Sequence, residues 1–263
     1  MSLTNNQTLN RSIGYTVREI TTSFDKLYCL SNDGQQEAVL EHARKDRVTY
    51  LPVREGSRIT AIARREDLTI AEILPLTADW LIAADTPILH LIELFAEKSD
   101  RVFLVLQSSR IIGLVAPADL NKVPARASIY LLTAQFEAEL AVLVRNMLGE
   151  DEAILERLLS PDNITKIRAE HAKANAGDIG LTLFYYLYLA DLMTIVAKHE
   201  GLRKSLGLKS RSHADSQLDF ADIRNKVSHL TGMLITSQDD LKTLNEACNK
   251  IIRLSEAMNA PTA

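Results

Sequence analysis

Apolar residues recur with two different spacings along this chain, and the change of spacing divides it into two regions. Up to about residue 124, short apolar runs end at polar turns, which is typical of strands and hairpins. Beyond that point, apolar residues recur every three or four positions, as on one face of a helix. The pattern predicts an α+β region at residues 15–124, followed by an all-α helical bundle domain at residues 126–260.

The α+β region contains one sequence unit twice. Asp46-Arg47-Val48 recurs as Asp100-Arg101-Val102, and residues 58–68 recur as residues 110–120. Each copy predicts a helix, two strands joined by a tight turn, and a second helix that starts at the closing aspartate. Because a duplicated unit packs against its twin and tends to leave a cleft between equivalent positions, we expect a ligand site there.

The elements of each copy follow from spacing and turn residues. The prediction places helices at 35–45 and 87–98, strands at 48–53 and 102–106, and hairpin turns at 54–57 and 107–109. Two β-α repeats in succession are therefore expected.

This organisation resembles a tandem pair of cystathionine-β-synthase (CBS) domains over roughly residues 15–124. The resemblance rests on Leu51-Pro52-Val53, on residues 61–68 and on residues 113–120. Paired CBS domains typically bind an adenosine nucleotide in the cleft between the repeats. The resemblance therefore implies AMP, ADP, ATP or a related molecule as a regulatory ligand.

The resemblance also implies which residues contact that ligand. An aspartate at the positions of Asp67 and Asp119 accepts hydrogen bonds from ribose hydroxyls in the family, and a Ser or Thr three residues earlier holds ribose or phosphate. Here those earlier positions are Arg64 and Ala116. Arg64 can replace the hydroxyl with a charge-assisted phosphate contact, whereas Ala116 cannot. The structural alternative is that Asp67 and Asp119 only cap helices.

Composition limits the class of protein and its cellular setting. The 263 residues carry a net charge of -4, which gives no overall signature of nucleic-acid binding. Cys29 and Cys248 are far apart and lack metal-ligand spacing, so we expect a reduced, cytoplasmic protein without a metal. The first ten residues lack the apolar core of a secretory signal. The most apolar stretch, 181–196, is interrupted by Asp191, and its uncharged part is too short to span a membrane.

The helical domain contains one basic segment. Helices are predicted at about 129–147, 151–159, 164–176, 181–198, 220–234 and 239–258, with a loop or broken helix at 201–216. Residues 198–229 hold seven Lys and Arg against four Asp and Glu. This segment is either a solvated connection or a contact for single-stranded RNA.

A polar cluster follows on the helix predicted at 220–234. Helical geometry places Arg224, Asn225 and His229 on the face opposite the apolar residues of that helix. Histidine can transfer a proton near neutral pH, arginine can stabilise a phosphate in the transition state, and asparagine can orient the histidine. The combination favours attack of a ribose 2′-hydroxyl on its own phosphate without a metal.

The sequence Arg224-Asn225-x-x-x-His229, late in a helical domain, resembles the HEPN family over about residues 127–258. The resemblance implies metal-independent cleavage of RNA by Arg224 and His229 at a homodimer interface. Ala221 and Gly232 are predicted on the same face, where small residues would let a second copy approach. The alternatives are a non-catalytic dimerisation domain and chance spacing.

Together these predictions describe a nucleotide-responsive regulatory protein, in which a CBS pair controls a HEPN-like domain that cleaves or binds RNA. The alternative is a non-catalytic dimerisation and signalling adaptor. We expect structural roles for several other polar and aromatic residues. Glu137, Glu139 and His171 are expected to face solvent, and the tyrosines at 185, 186 and 188 are expected to pack in the helical core.

Overall fold

The computed structural model describes residues 13–31, 36–98, 101–149, 151–175, 181–228 and 232–260. The chain divides into two compact units. The first unit holds residues 15–125 and 235–241, and the second holds residues 126–234 and the chain from 242 onward, with the residues before 15.

The first unit is α+β. Its strands are β1 Thr22–Ser23, β2 Leu30–Ser31, β3 Tyr50–Glu55, β4 Arg58–Glu66, β5 Thr69–Pro75, β6 Leu81–Ala83, β7 Phe103–Gln107 and β8 Arg110–Val115. Its helices are α1 Val17–Ile20, α2 Gln36–Lys45 and α3 Ile88–Glu97, with 3₁₀ turns at Phe24–Lys26, Ala78–Trp80 and Pro117–Asn121. The helices predicted at 35–45 and 87–98 are confirmed within a residue or two.

Each copy of the repeat builds its own four-stranded sheet. One sheet has the order β2-β3-β4-β5 and the other β1-β8-β7-β6. In both copies a short strand pairs in parallel with the strand after the helix, and that strand forms an antiparallel hairpin with the next. The register shifts at Val53/Arg54 in the first hairpin and at Val105/Leu106 in the second, which are equivalent positions. The duplication is therefore visible in the backbone as well as in the sequence.

The copies differ after the hairpin. A helix was expected after both closing aspartates, but Asp67 lies in a two-residue turn between β4 and β5, so this prediction is wrong for the first copy. The φ angle of Asp67 is 51°, a left-handed conformation that Asp tolerates better than most residues. Asp119 lies in the 3₁₀ turn Pro117–Asn121, and helix α4 follows.

The second unit is helical among its described residues. Its helices are α4 Val123–Leu148, which starts in the last residues of the first unit, α5 Glu152–Leu158, α6 Pro161–Asn175, α7 Leu189–Lys198, α8 Glu200–Ser205, α9 Arg211–Gln217, α10 Ala221–Ser228 and α11 Gln238–Asn259. Segment 201–216 was predicted as a loop or a broken helix, and it is a broken helix in the structure. The core contains the fully buried Phe136, whose ring meets that of Phe220 edge-on at 5.4 Å.

Two predicted helices are shorter in the structure. The helix expected at 181–198 begins only at Leu189, because the Asp191 carboxylate accepts a hydrogen bond from the Tyr188 backbone N–H at 3.2 Å and so fixes the start. Leu183–Tyr186 forms a separate 3₁₀ turn. Helix α10 covers Ala221–Ser228, and Gly232 lies in a bend, so Gly232 is not on the helix face where it was expected.

Helix α4 is long and apolar. Its 26 residues include a window with a mean hydropathy of 1.4, which would suffice by length and composition to cross a membrane. One side of the helix is nevertheless packed in the core of the second unit, where Leu132, Phe136 and Leu140 are fully buried. A core helix of a folded domain passes the same test of length and composition.

Candidate functional site

A cleft of about 740 Å³ opens in the first unit, and both copies of the repeat line it. The first copy contributes residues 46–50, Pro52 and Arg64, and the second contributes Arg101, Val102, Leu114 and residues 116–119. The segment before the repeats adds Thr22, Lys26, Leu27 and Tyr28. A volume of this size suits a small organic ligand.

Basic side chains dominate the charge of the cleft. Among the described residues, Lys26, Arg47, Arg64 and Arg101 line it, together with the carboxylates of Asp46 and Asp119. The surplus of positive charge is local, because the whole chain is acidic. An anionic ligand would therefore gain charge-assisted hydrogen bonds here.

Arg64 and Arg101 are held by neighbours while remaining available to the cleft. The Arg64 guanidinium lies 2.5 Å from the Glu66 carboxylate, and the Arg64 side chain stays 44% exposed. The Arg101 guanidinium lies 5.0 Å from the centre of the Trp80 ring and donates to the Asp79 carbonyl oxygen at 3.2 Å. Stacking on an aromatic ring orients a guanidinium without neutralising it.

Asp119 is the most enclosed carboxylate of the cleft, with 12% of its side chain exposed. One oxygen accepts a hydrogen bond from the Ala116 backbone N–H at 2.7 Å, so Asp119 does stabilise the start of its own 3₁₀ turn. The other oxygen accepts from the Thr22 hydroxyl at 3.2 Å and lies 2.7 Å from the Lys122 ammonium. A carboxylate offers about four acceptor positions, so one is left for a ligand hydroxyl.

The position of Thr22 depends on a glycine. Strand β1 pairs with β8 so that Ser23 is opposite Gly113 and Thr22 is opposite Leu114. A Cβ atom at Gly113 would overlap the Thr22 carbonyl oxygen. Gly113 therefore allows the close approach that brings the Thr22 hydroxyl to Asp119.

Tyr28 and Asp46 form a polar pair on the other side of the cleft. The Tyr28 hydroxyl donates to the Asp46 carboxylate at 2.6 Å. This hydrogen bond raises the pKa of Tyr28 above its ordinary value, so the phenol stays a neutral donor.

The four predicted nucleotide contacts do not lie together. Arg64, Ala116 and Asp119 line the cleft, whereas Asp67 does not. The Asp67 side chain is 72% exposed and forms an ion pair with Arg44 at 2.8 Å. The Asp67 helix cap is also absent, because a strand follows that residue.

Sequence reasoning missed several residues of the cleft. In the sequence, Asp46, Arg47 and Arg101 stood out only as members of the repeated tripeptide. In the structure these three residues line the cleft. Asp100 lies outside the described residues. Lys26 and Tyr28 precede the first repeat and follow no recognisable pattern.

A second candidate site lies on α10 in the second unit. Ile223 and Val227 are buried, while Arg224 is 38% exposed and Asn225 is exposed, so the polar face does point away from the helix's apolar side. The Arg224 guanidinium lies 4.0 Å from the Glu137 carboxylate. His229 and the side chain of Ala221 lie outside the described residues.

Three side chains that were expected to face solvent contact other parts of the protein instead. Glu137 accepts a hydrogen bond from the Leu189 backbone N–H at 2.9 Å, and Glu139 accepts from the Ser255 hydroxyl. The His171 ring contacts the Leu181 carbonyl oxygen at 2.7 Å. The expectation failed because each of these partners is distant in sequence or lies in an irregular segment.

Among the described residues, no group of three or more His, Cys, Asp or Glu side chains is arranged to hold a metal ion. The buried Cys248 is a poor ligand and nucleophile, because burial raises the pKa of its thiol to about 12.

Neither a protein-family model nor a curated protein matches the chain. Part of it is similar to the crystal structure of CBSX2 in complex with AMP, at 18% identity and a TM-score of 0.34, over 41% of this chain and 93% of that one. Part is similar to the CBS domain of the bacterial CNNM/CorC family Mg2+ transporter in complex with ATP, at 21% identity and a TM-score of 0.32, over 40% and 84%.

Proposed function

We propose that the first unit is a CBS-type sensor that binds an adenosine nucleotide, AMP, ADP or ATP, in its cleft. The observation that carries the proposal is the set of four basic side chains around a cleft that also presents the enclosed Asp119 carboxylate. Phosphate oxygens lie against Arg64 and Arg101, and a ribose hydroxyl donates to Asp119. The apolar wall formed by Val102 and Leu114 takes the base.

This arrangement uses the two copies unequally. Arg64 comes from the first copy and supplies charge, whereas Asp119 comes from the second and supplies an acceptor. Asp67 has no part in the contact, since it does not line the cleft. The proposed site is therefore a composite of both copies.

Calorimetry on the full chain tests the proposal. Arg64→Ala and Arg101→Ala should each weaken ATP binding about 10- to 100-fold, the usual loss for a hydrogen bond to a charged group. Arg110→Ala, which removes an exposed arginine of the same fold outside the cleft, is the matched control. Adenosine, which lacks phosphate, should bind equally to all four proteins. Absence of AMP, ADP and ATP binding at millimolar concentration would rule out the sensor.

We also propose a second function, metal-independent cleavage of single-stranded RNA by a homodimer through Arg224 and His229, with Asn225 orienting the histidine. The observation that favours it is the exposed polar face of α10, where Glu137 lies beside Arg224 and can hold the guanidinium in place. Nucleotide binding in the first unit then regulates this activity. The competing proposal is an adaptor that dimerises without catalysis.

An RNA cleavage assay separates these two proposals. His229→Ala and Arg224→Ala should each lower the rate about 10²- to 10⁴-fold, because general acid–base catalysis contributes about that much. Asp222→Asn, which changes an exposed charge on the same helix, should leave the rate unchanged. The products should carry 2′,3′-cyclic phosphate, and EDTA should not stop the reaction. No cleavage by the wild-type protein, with or without nucleotide, would leave the adaptor.

A further inference from the structure

The second unit carries an exposed apolar surface, which we call the α4 face. It combines side chains of helix α4 with two tyrosines beside that helix: Tyr130, Leu131, Ala138, Val142, Tyr185 and Tyr188. The two latter tyrosines were expected in the helical core, but they are 49% and 57% exposed. This difference needs an explanation, because exposed apolar side chains that lie together usually mark an interaction site.

The side chains form one continuous surface. Leu131, Ala138 and Val142 fall within about 40° of each other around the helix axis. The opposite side of α4 is buried in the core. Tyr185 adjoins the same face because the Arg145 guanidinium, one turn after Val142, lies 4.5 Å from its ring centre. Tyr188 adjoins the Tyr130 side of the face, because the next residue, Leu189, donates its backbone N–H to Glu137, which falls about 20° from Tyr130 around the helix axis.

The α4 face carries few charged side chains. Between residues 127 and 144 the only charged side chains are Glu137 and Glu139. Both accept hydrogen bonds from other parts of the second unit. The line of Leu131, Ala138 and Val142 itself carries no charge, so a second copy can pack along it with little repulsion between like charges.

The size and composition of the face fit the centre of a protein interface. An aromatic side chain covers about 150–250 Å² in full, so the exposed fractions of the three tyrosines leave about 300 Å² of surface. With the aliphatic side chains the face offers roughly 500 Å², against about 800 Å² per partner in a stable interface. Tyrosine with few lysines or glutamates is also the composition typical of interface cores.

We propose that a second copy of this chain covers the α4 face in a two-fold symmetric contact. A two-fold contact pairs a surface with itself, which an apolar face with an uncharged centre can do. A lipid surface fits less well, because a helix that lies on a membrane presents a face rich in Lys and Arg to water. The side of α4 away from this face is instead packed in protein. The inference rests on the homodimer proposed above and extends its surface from the Arg224 face of α10 to α4, whose Glu137 lies 4.0 Å from Arg224.

Sedimentation of the full chain tests the inference. The wild-type protein should sediment at twice the 29.3 kDa of one chain at micromolar concentration. The double variant Leu131→Glu/Val142→Glu should sediment as a monomer, with a dissociation constant raised at least about 100-fold, because it buries four unpaired charges per dimer. Both side chains are exposed, so circular dichroism and thermal unfolding should match the wild type.

Ile73→Glu is the matched control, since Ile73 is 62% exposed but belongs to strand β5 of the first unit. It should remain a dimer. A double variant that stays dimeric would overturn the inference while leaving the homodimer intact. A monomeric wild type would overturn both. A monomeric wild type that floats with vesicles of phosphatidylcholine and phosphatidylserine would assign the face to lipid instead. Nucleotide calorimetry on the double variant should be unchanged, because the face is no part of the cleft.

Discussion

The two copies of the repeat in the first unit end on the same pair, Asp-Leu, and use it for different purposes. In the first copy Asp67 turns a hairpin at the surface and pairs with Arg44. In the second copy Asp119 is enclosed, starts a 3₁₀ turn and lines the cleft. Duplication thus preserved the strands and the bulges but not the site.

The residue two positions before the aspartate explains the divergence. Pro117 in the second copy has a fixed φ and no N–H, which suits the first position of a helical turn and ends strand β8. The first copy has Arg65 at that position, so strand β4 continues to Glu66. The β-branched Thr69 and Ile70 then favour another strand, and Asp67 takes the left-handed conformation that the hairpin needs.

The second copy is also tied to a later part of the chain. The Asn121 side chain donates to the Ile235 carbonyl oxygen at 2.9 Å and accepts from the Ile235 N–H at 3.0 Å. Both residues belong to the first unit. Asn121 follows Asp119 by two residues. The copy whose aspartate lines the cleft is therefore also the copy that anchors the segment 235–241.

The largest effect should come from Gly113→Ala. The added methyl group overlaps the Thr22 backbone, so β1 must move away from β8 and take the Thr22 hydroxyl from Asp119. We expect the free energy of unfolding to fall by about 1–3 kcal/mol, as for other overpacked sites. Nucleotide affinity should also fall, about tenfold or more. Thermal unfolding and calorimetry measure the two losses.

The equivalent position of the first copy supplies the control. Residue 61 is already alanine, so Ala61→Gly should cost only about 0.5–1 kcal/mol from strand entropy and should leave nucleotide affinity unchanged. Equal losses of affinity in the two variants would contradict the role proposed for Asp119 of the second copy.

The next effect compares the two aspartates directly. Asp119→Asn should weaken nucleotide binding about tenfold, because it replaces a carboxylate acceptor with an amide in an enclosed position. Asp67→Asn should change the affinity little, since Asp67 does not line the cleft and its ion pair is exposed. Calorimetry with AMP suffices, and a larger loss for Asp67→Asn would reverse the proposed roles.

The sequence predicted much of the structure that the two copies share, but not the different positions of their closing aspartates. Helices α2 and α3 and both hairpins followed from periodicity and turn residues, which act locally. Strand β5 did not, because it depends on pairing with β4 at the edge of a sheet. Within the cleft, Arg64, Ala116 and Asp119 could be picked out by their place in the repeat. Lys26 and Tyr28 could not, since only folding brings them to the repeats.

A smaller effect should follow from Ala116→Thr. This change introduces, in the second copy, the hydroxyl that the resemblance to CBS domains implies three residues before the aspartate. Ala116 is partly buried and lines the cleft, so the hydroxyl can reach a bound ligand. A neutral hydrogen bond contributes about 0.5–1.5 kcal/mol, so the affinity for AMP should rise about 2- to 10-fold. Ala71→Thr, at an exposed position of strand β5 outside the cleft, is the control, and an equal gain there would indicate a non-specific effect.

The smallest effect is a change of stability with pH, and it concerns the segment 235–241 that Asn121 anchors. Hydrogen bonds from Thr236 and Ser237 lower the pKa of Asp240, at the start of helix α11, from 3.8 to about 2. A carboxyl whose pKa is lower in the folded state stabilises the fold above pH 3.8 and loses that contribution as the pH falls toward 2. We therefore expect the stability difference between the wild type and Asp240→Asn to shrink over this interval. Acid titrations of both proteins, followed by circular dichroism, measure it. A difference that stays constant down to pH 2 would mean that Asp240 does not stabilise the segment held by Asn121 through its charge.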